Sequence, residues 1–223
     1  MAKIVIAIDG PAGSGKSSVS KQIARELGFG YLDTGAAYRA LAWATLNGLS
    51  LTKVAEGNFE AEFDYSISTD PDDFWVRVAQ HDVTEPIRSS LISETVSSVA
   101  ALPSVREYMK KLTRQLVSEC SLGGVVVEGR DITTVVFPEA QSRLLLTASE
   151  AVRLQRRSKE LSADSATSVV NQVSKRDEND SKIVDFMNAA PGVTLVDSSD
   201  LDFDQTVSVM IAQIRTDLKA SAS

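Results

Sequence analysis

The 223-residue sequence predicts an α/β fold, a parallel sheet flanked by helices, on three observations. Ile4-Val5-Ile6-Ala7-Ile8 is an unbroken apolar run rich in β-branched residues, the pattern of a strand buried on both faces of a parallel sheet. Gly10-Pro11-Ala12-Gly13-Ser14-Gly15-Lys16-Ser17 follows at once, and behind it Val19, Ile23, Ala24 and Leu27 recur at helical spacing up to the helix stop Gly28. Further along, short apolar runs alternate with helical stretches, which implies parallel strands joined by crossover helices.

The remaining elements follow in order. Tyr38 to Leu46 is predicted helical, ending at Asn47-Gly48, and Ser89 to Ala101 and Ser104 to Cys120 read as helices separated by Pro103. Val125-Val126-Val127 and Leu144-Leu145-Leu146 read as buried strands and Val193 to Val196 as the last strand. Val207, Ile211, Ile214 and Leu218 mark a closing amphipathic helix. One stretch breaks the rhythm: Phe63 to Ser68, a turn around Asp70-Pro71-Asp72-Asp73, and Phe74 to Val78 read as an antiparallel hairpin. It predicts a small β insert over roughly residues 60–88 of a single domain spanning 1–223. Only Ala220 to Ser223 read as a frayed tail.

Composition narrows the function. Lys+Arg number 23 against Asp+Glu 30, a formal charge of −7, so no general positive field exists to hold a nucleic-acid backbone. Trp43, Trp75 and the seven phenylalanines are scattered rather than set along a basic stripe, which favours core packing over base stacking. Cys120 has no second cysteine to pair with and reads as a small apolar helix residue. His81, beside Asp82 in the insert, has no second histidine with which to ligate a metal. No window reaches the ~20 apolar residues of a membrane span, and Met1-Ala2-Lys3 is no signal peptide, so the expectation is an untargeted cytoplasmic protein. An acidic surface without exposed apolar runs predicts a monomer.

The chemistry lies in the loop. Gly10 to Ser17 satisfies G-x-x-x-x-G-K-[ST] in full, between a strand and a helix, so the fold is expected to be a P-loop parallel sheet. Glycines let consecutive backbone N–H groups turn toward one anion, and the following helix adds its positive end. Lys16 is placed for the β- and γ-phosphates and the Ser17 hydroxyl for Mg²⁺, with Ser18 next in the helix.

Two further segments suggest a second phosphate compound. Leu32-Asp33-Thr34-Gly35-Ala36-Ala37-Tyr38-Arg39 puts a carboxylate, a hydroxyl and, five residues after Thr34, an arginine at the start of a helix, where its fork suits a phosphate. Val125-Val126-Val127-Glu128-Gly129-Arg130-Asp131 delivers three charged residues at the carboxyl end of a buried strand, where open α/β sheets bind ligands.

These segments, read with Thr133-Thr134-Val135-Val136-Phe137-Pro138 and Lys175-Arg176-Asp177, closely resemble the bacterial cytidylate kinases over almost the whole chain. The resemblance implies ATP-dependent phosphorylation of CMP and dCMP with Mg²⁺, in a molecule of core, nucleoside-monophosphate-binding β insert and short helical lid at about 150–182. It gives ATP the loop from Gly10 to Ser17 with Ser18. Arg153, Arg156 and Arg157 lie on a predicted helix near that lid, with Lys159 and Glu160 close by as on a solvated helical face, and at least one of them, Arg156, is expected near ATP. The resemblance gives CMP the residues Thr34, Tyr38, Ser97, Arg106, Gly129 and Asp131, with Arg39 and Arg130 on the acceptor phosphate. Asp180 resembles a ribose-contacting carboxylate. Arg176 resembles a basic group facing the transferring phosphate, making Lys16, Arg130 and Arg176 the expected catalytic cations. The sequence departs from the family at Ile183, a site often filled by arginine, whose role passes to Lys182 or is lost.

Two rival readings use the same loop. A kinase of shikimate or of another nucleoside monophosphate is disfavoured by the insert and the Glu128-Gly129-Arg130-Asp131 box. A nucleotide-dependent switch protein of the GTPase kind is disfavoured because no Asn-Lys-x-Asp segment occurs.

Overall fold

The computed structural model describes residues 3–160 and 185–221. Five strands form one fully parallel sheet in the order β2-β6-β1-β7-β8: β1 (Ile4–Asp9), β2 (Gly30–Asp33), β6 (Gly124–Gly129), β7 (Ser142–Thr147) and β8 (Thr194–Asp197). The period of two is visible on both faces. Val5, Ala7, Val125 and Val127 pack into one apolar cluster, while Ile6, Ile8, Val126, Leu144 and Leu146 pack into the other. The first cluster is covered by α2 (Thr34–Leu46), α4 (Ser90–Ala100) and α5 (Pro103–Glu119), and the second by α1 (Lys16–Leu27) and α7 (Phe203–Ser221). The anticipated α/β architecture is therefore present.

Several boundaries differ from the sequence reading, each for a local reason. Helix α2 begins at Thr34 rather than Tyr38, because the Asp33 side chain caps it, its Oδ1 accepting the Ala36 N–H at 3.0 Å. Pro103 opens α5 instead of preceding it, since proline lacks only an N–H that the first helical turn leaves unused. Cys120 is the residue that closes α5, buried beyond its last turn. Neither β2, only four residues long, nor α3 (Leu51–Glu56), capped by the Ser50 hydroxyl, was anticipated from the sequence.

The insert is a three-stranded antiparallel sheet, one strand more than the expected hairpin: β3 (Tyr65–Ile67), β4 (Val76–Val78) and β5 (His81–Asp82). Its apolar face, Ile67, Val76 and Val78, joins the cluster that α2 covers. The turn between β3 and β4 is fastened to α1, where Arg25 meets the Asp72 carboxylate at 2.7 Å and Lys21 lies 4.3 Å over the Phe74 ring. His81 packs 5.7 Å from the Trp43 ring. Among the described residues no helix is long and apolar enough to cross a membrane.

Candidate active site

The carboxyl ends of the three adjacent strands β2, β6 and β1 carry the loops that the sequence singled out. Gly13 and Gly15 of the loop after β1 hold φ of 75° and 85°, a left-handed backbone that other residues rarely adopt. Gly15 caps α1 without a side-chain acceptor, which leaves the positive end of the helix beside the loop for an anion. Lys16 reaches from this turn to the Glu128 carboxylate at 2.9 Å, and the Glu128 side chain is 3% exposed. Tyr31 donates its hydroxyl to the other Glu128 oxygen at 2.8 Å. Burial alone would raise the Glu128 pKa, but the Lys16 charge and hydrogen bonds from Ser17, Lys16 and Tyr31 outweigh it and hold the carboxyl below its usual range. Ser17 and Ser18 stand exposed in the first turn of α1.

A second set of contacts fastens the loop from outside. Helix α6 (Glu150–Glu160) places Arg153 Nη1 3.0 Å from the Ala12 carbonyl and Arg156 Nη1 3.1 Å from the Ser14 carbonyl. Arg156 also donates to the hydroxyl and the carbonyl of Ser198, at 2.9 Å each, bridging the loop to the end of β8. Of the three arginines weighed there, two meet the loop; nothing is described of the Arg157 side chain.

The segment after β6 is held just as firmly. Asp9, the last residue of β1, accepts the N–H of Ile132 at 2.9 Å, and the N–H and hydroxyl of Thr133 at 2.8 Å and 2.6 Å. These bonds tie down the start of a π-helical turn, Ile132–Val136. Burial pushes the Asp9 carboxyl up to about 6 in spite of those donors. Arg130 gives Nη1 to the Gly10 carbonyl at 3.1 Å and lies 4.2 Å over the ring of Phe186. Gly129 is required at its position, since a Cβ would come within 2.6 Å of Thr34 Oγ1.

Beside this segment opens a cavity of about 420 Å³, lined among others by Thr34, Tyr38, Arg106, Lys110, Asp131 and Val135. Within it Arg106 pairs with Asp131 at 2.6 Å. Burial raises the Asp131 carboxyl and the Arg106 charge opposes that rise. Thr34 donates its hydroxyl to the Glu128 carbonyl at 2.7 Å, and burial raises the Tyr38 phenol. The cavity thus offers an arginine fork, a carboxylate and apolar walls, a set suited to the edge of a flat polar ring.

Sequence-predicted residues divide as follows. The loop from Gly10 to Ser17, Thr34, Tyr38, Arg106, Gly129, Arg130, Asp131 and Arg156 gather at this end of the sheet. Arg39, paired with Asp33 at 2.7 Å, lies off the cavity wall, and Ser97, half-buried on α4, does not line the cavity. Arg176, Asp180, Lys182 and Ile183 lie outside the described residues. The reading missed Asp9 and Phe186, whose partners are 123 and 56 positions away along the chain, and did not use Tyr31. Adjacency to the glycine loop was the one available signal for Asp9.

A phosphate-gripping loop after the first strand of a parallel sheet, facing a second polar cavity across the neighbouring strand end, defines the small-molecule kinase class of P-loop folds. The family model described as cytidylate kinase matches residues 6–216, and the chain belongs to that family. A cytidylate kinase of Cutibacterium acnes is 40% identical, covering 97% of this chain and 98% of its own. One of Rhodococcus jostii is 42% identical over 92% of each. A crystal structure of an uncharacterized protein from Eubacterium ventriosum shares the fold alone, with a TM-score of 0.53 at 12% identity over 96% of this chain and 99% of that one.

Proposed function

We infer that the protein transfers the γ-phosphate of ATP to CMP and dCMP, giving ADP and CDP or dCDP. The observation that carries this reading is the Arg106–Asp131 pair in a cavity adjoining the Lys16 loop, within a chain that matches the cytidylate kinase family over residues 6–216. In it, the loop holds the ATP phosphates, Arg156 supports the loop, and Arg106 with Asp131 and Thr34 receives the pyrimidine. Tyr38 and Gly129 shape the same site, while Ser97, assigned to it by the resemblance, stands off the cavity wall. Arg39 and Arg130 face the acceptor phosphate, and Arg176 and Asp180 keep the roles that the resemblance assigns them.

Phosphoryl transfer asks the protein mainly to align donor and acceptor and to neutralise charge. The attacking oxygen belongs to a phosphate already ionised near neutral pH, so no strong general base is required. Lys16 leaves Glu128 for the β- and γ-phosphates, while Arg130, anchored at Gly10, adds positive charge beside the transferring group. Among the described residues no group of three or more His, Cys, Asp or Glu side chains could hold a metal. Mg²⁺ would therefore rest on the ATP phosphates, the Ser17 hydroxyl and the nearby Glu128 carboxylate, and would neutralise phosphate charge. In this reading the protein is a cytoplasmic monomer whose insert near 60–88 receives the monophosphate, and the expected lid at 150–182 lies outside the described residues beyond position 160.

Coupled assays with CMP, dCMP, UMP, AMP and shikimate, at fixed ATP and Mg²⁺, test it. The fastest rates are expected for CMP and dCMP; activity confined to AMP or shikimate would overturn the assignment.

A further inference from the structure

We propose that the hydroxyl of Tyr65, at the start of insert strand β3, binds the phosphate of the acceptor nucleotide alongside Arg39. The proposal rests on the functional reading above and adds to it a binding group from the insert that no sequence motif marks.

Two buried donors carry the proposal. Tyr65 Oη and Arg39 Nε are both shielded from solvent, and neither finds a hydrogen-bond partner among the described residues. Buried polar atoms are rarely left so, and those that are mark places where a ligand or an ordered molecule completes the structure. The nearby carboxylate is already engaged. Asp33 Oδ1 accepts the Ala36 N–H and Oδ2 accepts Arg39 Nη2, at 3.0 Å and 2.7 Å. Asp33 and Arg39 act electrostatically on the Tyr65 phenol, Asp33 raising its pKa and Arg39 lowering it, and Tyr65 in turn acts on Arg39, so the three groups are electrostatic neighbours. Burial, the largest influence, pushes the phenol well above its ordinary range, so it remains an O–H donor at neutral pH.

The surroundings fix the phenol rather than let it turn elsewhere. The Tyr65 ring stacks on the buried Phe63 ring, with centroids 5.4 Å apart and planes 19° apart. At Gly35 a Cβ would stand 3.3 Å from Arg39 Nη1 and 3.1 Å from Asp33 Oδ1, so glycine there keeps the guanidinium close against the backbone. An O–H and a guanidinium N–H without an acceptor complement an anion bearing several oxygens. In the proposed reaction that anion is the phosphate monoester of the acceptor. Because Tyr65 comes from the insert and Arg39 from α2, one phosphate held between them joins insert to core.

Tyr65→Phe removes the oxygen and leaves the stacked ring. Calorimetric titration should show CMP binding weakened about tenfold, the loss of one charge-assisted hydrogen bond. Cytidine, lacking the phosphate, should bind both proteins equally, and KM for ATP should not move. The melting temperature should stay level or rise, because the hydroxyl has no partner to lose. Unchanged CMP affinity would overturn the proposal, as would equal losses for CMP and cytidine. A lowered melting temperature would show that the hydroxyl already has a structural partner, and would overturn it too. Wild-type protein that does not phosphorylate CMP would sink the functional reading before any variant is made, and this inference with it.

Discussion

Asp9 and Thr133 meet through two hydrogen bonds at 2.8 Å and 2.6 Å to one carboxylate oxygen, joining the end of β1 to the start of the π-helical turn. Asp9 immediately precedes the phosphate loop and Thr133 follows Arg130 and Asp131, so this contact sets the donor cradle and the acceptor side in one frame. Asp9→Asn keeps the shape but substitutes an NH₂ for one acceptor facing those donors. We expect turnover to fall at least tenfold, the size of effect seen when reacting groups are slightly misplaced.

The same carboxylate gives a pH signature. Its pKa stands at about 6 in the folded protein against an ordinary 3.8, so between those values the folded state binds the proton more tightly than the unfolded one. The Asp9 contribution to stability is therefore greatest below that window and declines as pH rises through it. Asn carries no such slope. The stability of the wild type relative to Asp9→Asn should fall by roughly 2 kcal/mol between pH 4 and pH 7. Urea melts at both pH values read this directly, and a stability difference that does not change with pH would contradict the burial argument.

Lys16 is paired with a carboxylate that is 3% exposed, and it is the loop's own cation. Lys16→Ala should lower kcat by orders of magnitude while CMP still binds, because the charge is needed most in the transition state. Steady-state kinetics beside CMP calorimetry separate the two effects; near-normal turnover would refute the role.

Arg39→Ala should weaken CMP binding more than ATP binding, and should leave Asp33 as a largely buried carboxylate without its cation. Breaking such a pair costs roughly 3 kcal/mol of stability. Nucleotide titrations and a denaturant melt check both halves, and equal losses for the two nucleotides would contradict the placement.

Arg156 holds the Ser14 carbonyl to Ser198. Arg156→Ala should loosen the loop and raise KM for ATP about tenfold, the loss of charge-assisted bonds to backbone. KM for CMP should remain within about twofold if the loss is confined to that side.

Much of this was legible because its signals are local. Ile4 to Ile8 and the glycine loop lie within one short stretch, and their meaning depends on nothing distant. Strand β2 was not legible, because Gly30 to Asp33 is too short to show a pattern and is a strand only through pairing with β6. Asp131 was read beside its neighbour Arg130, yet its cation is Arg106, 25 positions away on α5. Such pairings are decided by how α5 packs on the π-helical turn, and no spacing rule reports that. Ser97 shows the converse, a residue whose assignment came from resemblance and which stands off the cavity wall.

The parallel sheet also works as a ruler. Asp9 lies beside Gly129 and Asp33 beside Glu128 in the strand register. With strands about 4.8 Å apart, the roots of the two ligand loops stand roughly 10 Å apart, separated by one intervening strand. That distance belongs to the backbone lattice rather than to any side chain. Loops farther out can lengthen or change without disturbing it, whereas a single-residue slip of β2 would shift the acceptor side by one rung and turn its side chains to the opposite face.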